Sequence, residues 1–316
     1  MVPALLTIVG PQTGGDPMGR SRFVRRSLRA LATELSDLGH PACPTTVARL
    51  LRAEGYSPRI NVKRFTGPDH PDRDRQFRNI AEWVAVFEQL GLPIISVDGK
   101  KKELIGNFRN PGAAWCRDPE EVNVYDFIAD AECRATPYGI YDLAARRGHI
   151  HVGTSADTPA FAVEAIRSWW ARYGCRRYPG AGEILILADG GGSNGCRPRL
   201  WKAALQERLA DRYGLHVTVC HYPRGASKWN PVEHRLFGPV SINWAGQPLR
   251  SLEALLGWVR GTTVGGTGVT ASLDRSEYPT RVKVPADVMR GLNLERHEVC
   301  PGWTYTIGPR TTQRRR

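Results

Sequence analysis

The sequence lacks any stretch of about 18 consecutive apolar residues, the length a membrane-crossing helix needs, so no membrane partner is expected. It also lacks a CxxC pair. Its seven cysteines, Cys43, Cys116, Cys133, Cys175, Cys196, Cys220 and Cys300, form no regular framework, and an odd, scattered set predicts reduced structural thiols. Cys220 stands next to His221, but no second Cys/His pair follows at zinc-finger spacing, so a zinc role there is not expected. The apolar start, Val2 to Val9, has no basic residue before it and is too short for a secretory signal. A cytoplasmic location is the resulting expectation.

Negative charge is the scarcer sign. Lys and Arg number 44 against 31 Asp and Glu, a formal charge of +13. Residues 1–64 carry ten Lys or Arg against four acids, and the chain ends Arg314-Arg315-Arg316. Such an excess serves solubility or attracts a polyanion, and nucleic acid is the favoured partner class. With 41% hydrophobic residues over 316 positions, the chain can bury a sizeable core.

Four segments are legible. In residues 1–64, Leu28, Leu31, Leu35 and Leu38 recur at helical spacing, and Gly39-His40-Pro41 stops that helix. Thr45 or Thr46 can cap a second helix striped by Val47, Leu50 and Leu51. Two short helices and a tight turn make either a helix-turn-helix or an ordinary hairpin. The basic flank of Arg20, Arg22, Arg25, Arg26 and Arg29 favours the first, with Thr45, Thr46 and Arg49 facing a DNA groove and Arg52 nearer the backbone. Residues 65–93 are a connector and a helix bearing Phe77, Ile80, Trp83, Val84, Phe87 and Leu90. Over 94–263 strands alternate with helices. Strands are expected at Ile94–Asp98, Leu104–Phe108, Val122–Phe127, His149–Val152, Glu183–Asp189 and His216–Cys220. Helices are expected at Thr158–Tyr173, at Leu200–Tyr213 and from Pro231. That order predicts an α/β fold, an RNase H-like mixed sheet flanked by helices, with a doubly wound dinucleotide fold as the rival. Residues 264–316 read as an irregular β-rich extension with a basic tail.

Asp98 and Asp189 each end a strand, where residues of mixed sheets face the ligand crevice. A lone strand-end Asp is commonly a turn residue; two brought together repel unless a divalent cation sits between them. The third acid, Glu233, lies in Ser227-Lys228-Trp229-Asn230-Pro231-Val232-Glu233-His234-Arg235. Here Asn230 reads as an N-cap, Pro231 as a first helical residue and Glu233 as the acid that closes a capping box, so a purely local role competes with metal binding. Gly190 to Gly195 spell GxGxxG after a strand, but the next strand ends in Cys220-His221 without an acid for a ribose. A nucleotide cofactor is therefore not expected.

Taken together, IISVDGKKKELIGNF, VNVYDF, PYGIYDL, ILILADGGGSNG, VCHYP and SKWNPVEHRLF resemble the DDE transposases of bacterial insertion sequences, specifically the ISAzo-thirteen family, from about Ser27 to Gly268. The NPxE block is also similar to the third-acid motif of mariner-like transposases. The resemblance implies an RNase H-like catalytic domain that cleaves and transfers DNA strands. It assigns Asp98, Asp189 and Glu233 as catalytic, metal-binding residues for two Mg²⁺ ions, with Mn²⁺ as a substitute. Double-stranded DNA and a homo-oligomer assembled on it are the implied partners. Lys100, Lys101 and Lys102, and better Lys228, His234 and Arg235, are the cations expected beside the DNA phosphates. Gly99 and Tyr125 depart from the family pattern, where Thr and His are expected. The other readings of the same residues are a DNA-binding remnant without catalysis and a nuclease that cuts without joining.

Overall fold

The computed structural model describes residues 1–10, 13–15, 22–24, 26–56, 71–113 and 116–310, and the chain divides into two compact units, Met1–Phe65 and Thr66–Arg316. Arg20, Arg25, Arg314, Arg315, Arg316 and most of the expected connector fall outside the described residues.

The first unit holds helices α1 (Val2–Val9), α2 (Leu28–Asp37) and α3 (Pro44–Ala53), and a two-stranded ribbon, β1 (Thr13–Gly15) with β2 (Arg22–Val24). Leu5, Ile8 and Val9 of α1 pack against Leu31, Leu35 and Val47, so the apolar start is a core helix. Ser27 caps α2 by accepting from the Ala30 N–H at 3.1 Å. The α3 cap differs from expectation. The helix begins one residue earlier than Thr45, at Pro44 after Cys43, because proline's fixed φ suits the first helical position. Thr46 only meets the Cys43 sulfur, at 3.3 Å. Thr45, Arg49 and Arg52 are exposed on the side away from Val47.

The second unit is a mixed α/β structure of the RNase H-like kind. After helix α4 (Arg73–Gln89) come β3 (Ile94–Gly99), β4 (Glu103–Ile105), β5 (Cys133–Asp142) and β6 (Arg147–Gly153). Helix α5 (Pro159–Trp169) passes through a wide π turn at Trp170–Gly174 into α6 (Cys175–Arg177) and then β7 (Glu183–Ala188). Helix α7 (Arg199–Leu205) continues through a second π turn into α8 (Asp211–Tyr213), which ends at Gly214 with φ of 68°. Strand β8 (His216–His221), helices α9 (Gly238–Asn243) and α10 (Leu252–Arg260) and the short pair β9 (Thr263–Val264) and β10 (Thr267–Gly268) follow. The described chain finishes with β11 (Thr270–Asp274), α11 (Ala286–Arg290), β12 (Leu294–Arg296) and β13 (Thr304–Ile307).

The sheet order is β11-β6-β5-β3-β7-β8-β13-β12. β3 runs antiparallel to β5 and parallel to β7, and β7 runs parallel to β8. Both faces of β3 and β7 are covered, which is why these strands read as nearly continuous apolar runs. Ile95, Val97, Ile184 and Ile186 pack on one face with Phe161, Trp169, Trp201 and Leu209. Ile94, Leu185 and Leu187 pack on the other with Ile80 and Phe87 of α4. Among the described residues no helix is long and apolar enough to cross a membrane.

Two strand expectations change, and one strand was not expected. Of the segment 104–108 only Leu104 and Ile105 are strand, in β4, which pairs with the start of β5. Residues 122–127 are not a strand; Val124, Tyr125 and Phe127 are exposed. The strand next to β3 is β5, which sequence pattern did not disclose. Pro137 and Gly139 interrupt its apolar run, and a Cβ on Gly139 would come within 2.4 Å of Phe237 and 2.8 Å of Val232. Residues after 263 supply strands to the same sheet: β11 extends it beyond β6, and β13 with β12 beyond β8.

Candidate active site

Asp98 lies near the end of β3, and Asp189 directly follows β7. These strands are parallel neighbours, with Val97 paired to Ala188, so the two acids sit side by side at their C-terminal ends. Side chains alternate across a strand. Ile94, Ser96 and Asp98 therefore share a face, and Leu185, Leu187 and Asp189 share the same one. Onto that face folds the chain that carries Glu233. Val232, Leu236 and Phe237 pack with Tyr141, Ile150 and Val152 on β5 and β6. Gly139, paired with Asp98, and Gly148 are bare where Phe237, Val232 and Leu236 press against the sheet.

The capping expectation for Asn230 and Glu233 is replaced by a longer-range arrangement. Asn230 has extended backbone and a fully buried side chain. Its Oδ1 accepts from the Ser96 hydroxyl, and its Nδ2 donates to Asp189 Oδ1 at 3.3 Å. The helix start is satisfied instead by Ser96, whose Oγ accepts from the Val232 N–H at 3.2 Å. The Asn230 N–H donates to the Ser227 carbonyl, so Glu233 does not close a capping box. Freed from that role, Glu233 lies close enough to Asp98 for each carboxyl group to act on the other. The helix then runs through a π turn at Glu233–Phe237 into α9.

The electrostatics follow from this crowding. Burial, then the Asp189 charge, and to a lesser degree Glu233, push Asp98 up to about 8; the Gly99 N–H, donating at 2.8 Å, opposes the shift. Burial raises Asp189 as well, against the stabilising Asn230 amide. Glu233 is raised by burial and by Asp189, while Asp98, His234 and Lys100 pull it down. Among the described residues no three His, Cys, Asp or Glu side chains are arranged as a ready-made metal cage. Uncompensated like charges favour a looser arrangement. The donors are oxygens throughout, the set a hard divalent cation prefers.

The expected cations divide. Lys100 is largely buried, bonded to Glu103 at 2.5 Å and lying over the Trp244 ring, so it is committed locally as well as facing Glu233. Lys101 and Lys102 are exposed, as are Lys228, His234 and Arg235. Lys228 lies 4.2 Å from the exposed Trp229 ring centroid, and Arg235 lies over Tyr141.

Of the residues that hold the acids, sequence reasoning gave Asn230 only a capping role and did not single out Ser96. Ser96 is the one polar residue in the apolar run that precedes Asp98 on β3, and that oddity is the signal that marks it. The Asp189 carbonyl accepts from His221 Nδ1 at 3.0 Å, His221 Nε2 meets the Tyr305 hydroxyl at 3.1 Å, and Trp201 Nε1 donates to that hydroxyl at 2.9 Å. His221 is fully buried and held down to about 4 by desolvation, so it is neutral here. On the other side, Asp157 occupies the space beside Gly99, where a Cβ would stand 3.3 Å from its Oδ2. Gly195 folds back against Gly191, leaving 3.0 to 3.2 Å for any Cβ, so the glycine-rich loop is a tight turn beside Asp189.

Two solved structures similar to this chain are complexes of Mos1 transposase. One is the paired-end complex with left transposon end, at 12% identity and TM-score 0.44 over 82% of this chain and 69% of that one. The other is the strand transfer complex, at 13% identity and TM-score 0.44 over 78% and 71%. No curated protein sequence matches. A family model described as the Rhodopirellula transposase DDE domain matches residues 4–309, nearly the whole length, and the chain belongs to that transposase family.

Proposed function

We propose that this chain cuts and rejoins DNA strands by metal-dependent phosphodiester transfer, with Asp98, Asp189 and Glu233 as ligands for two Mg²⁺ ions that Mn²⁺ can replace. The observation that carries this reading is the meeting of three acids from two parallel strand ends and a helix on one face of the sheet, with Asp98 raised to about 8. Negative charge held together at such a cost is useful where a cation offsets it. Bound there, two divalent ions would supply an activated attacking hydroxyl and charge neutralisation at the leaving oxygen. The chain's own groups do the positioning: the Gly99 N–H orients Asp98, and Asn230 orients Asp189 while fixing the start of the Glu233 helix through Ser96. Lys101 and Lys102 on the loop after Asp98, Lys228 just before the Glu233 helix, and His234 and Arg235 in its first turns stand exposed and serve the phosphates. In the first unit, α2 and α3 act as a helix-turn-helix, with Thr45, Thr46 and Arg49 toward bases and Arg52 toward the backbone. Duplex DNA, both element ends and target, is the substrate, and the protein assembles on it as a homo-oligomer.

The test is incubation with labelled element-end DNA and Mg²⁺ or Mn²⁺. Nicked and joined products together support strand transfer. Nicks without joining favour a nuclease, and binding without either product favours a catalytically silent DNA-binding protein.

A further inference from the structure

At the end of the sheet away from the acids, a second basic site is built. The turn between β5 and β6 and the end of the α5–α6 helix enclose an open depression of about 560 Å³ lined by Arg147, Arg172, Tyr173, Arg176 and Arg177. Its separation from the acids follows from strand register. Asp98 pairs with Gly139, whereas Arg147 pairs with Asp142, three residues further along β5, or roughly 10 Å at the strand rise of about 3.3 Å per residue.

Four guanidinium groups facing one space repel each other, as like charges one helical turn apart do. Only Arg177 has an anionic partner among the described residues. It donates to Asp142 Oδ2 at 2.5 Å, and Tyr178 and the Ala145 N–H saturate the other oxygen of that buried acid. Arg147, Arg172 and Arg176 are exposed, and no described acid pairs with them. The backbone that presents them is unusual on both sides. Arg172 lies in the π turn Trp170–Gly174, and Arg146, beside Arg147, holds φ at 52°. Irregular turns of both kinds concentrate at functional sites. Arginine forks match phosphate oxygens two at a time, and a neighbouring tyrosine hydroxyl adds a donor.

We infer that this pole of the second unit binds the phosphate backbone of duplex DNA, at a place separate from the carboxylates. The choice of DNA as the polyanion rests on the transposase reading; the existence of the anion site does not. An open depression lined by cations suits a backbone passing over it, rather than an unstacked base.

The experiment uses the full chain in EDTA with a fluorescent duplex of arbitrary sequence, across a salt series. The variants are Arg147→Glu/Arg172→Glu/Arg176→Glu and the matching triple lysine change. Each phosphate contact contributes about 0.9 to the log–log salt slope, so the Glu variant should lose roughly 2–3 from it and the Lys variant should keep it. An unchanged slope in the Glu variant overturns the site. If that variant does not fold, phenylglyoxal modification of the wild-type chain decides instead: duplex DNA should protect Arg147, Arg172 and Arg176, and equal labelling with and without DNA refutes the proposal. Because both readings are made without metal, a chain that never cuts DNA leaves them standing, and their failure leaves the carboxylates untouched.

Discussion

Asn230 donates its side-chain amide to the Asp189 carboxylate at 3.3 Å, tying the start of the Glu233 helix to the end of a strand 41 positions earlier. Replacing it by Ala leaves Asp189 without that donor. Stability should fall by about 1–3 kcal/mol, the usual cost of a lost buried polar partner. The Asp189 carboxyl should also titrate higher, because the amide holds it down. Metal-dependent cleavage by the Asn230→Ala variant should therefore begin at higher pH than in the wild type. A superimposable pH profile would contradict the positioning role.

Asp98 should make the metal-free protein less stable as pH rises. Its folded-state value of about 8 lies above the ordinary 3.8, so the protonated acid favours folding. That contribution is complete below about 4 and is lost as pH climbs through about 8. In EDTA, Asp98→Asn should therefore have the higher Tm at pH 8, with the gap closing toward pH 4. Added Mg²⁺ should raise the wild type more than the variant. Equal Tm values at pH 8 in EDTA would argue against a strained acid.

Gly139 is where the helix bearing Glu233 meets the sheet. A methyl group there would lie 2.4 Å from Phe237 and 2.8 Å from Val232, both side chains of the packed helix. Gly139→Ala should cost about 1–3 kcal/mol by overpacking, measured by denaturant titration, and should reduce cleavage because Glu233 is displaced with its helix. A variant as stable and as active as the wild type would mean that this contact is looser than described.

That glycine also shows why the sequence disclosed only part of the fold. Strands β3 and β7 were legible because both of their faces are buried, and helix α4 because its apolar residues recur periodically on one packed face. Strand β5 was not: Pro137 and Gly139 read as turn residues, yet Gly139 is small because a helix covers it. The reverse error came from Val124, Tyr125 and Phe127, which imitate a strand but stand in solvent. The three acids could be picked out from strand ends and an unusual block. Asn230 was misread because Asn-Pro-x-Glu spells a local cap, and only the tertiary fold brings Ser96 and Asp189 within its reach.

The last described strand, β13, is coupled to the site in the same tertiary manner. The Tyr305 hydroxyl accepts from Trp201 and meets His221, which holds the Asp189 carbonyl. Tyr305→Phe should destabilise the protein by about 1–3 kcal/mol, since the buried Trp201 donor and the buried His221 Nε2 acceptor lose their partner. Part of the loss should appear as weaker stabilisation by Mg²⁺. Unaltered metal-induced stabilisation would confine Tyr305 to the core.

The most direct test of the central claim is the cleavage of labelled element-end DNA by Asp189→Asn in Mg²⁺, measured beside its DNA affinity. The substitution keeps the shape of a proposed metal ligand and removes its charge. Loss of cleavage with nearly unchanged binding is the expected result; cleavage at the wild-type rate would contradict the assignment of Asp189 and, with it, the three-carboxylate site.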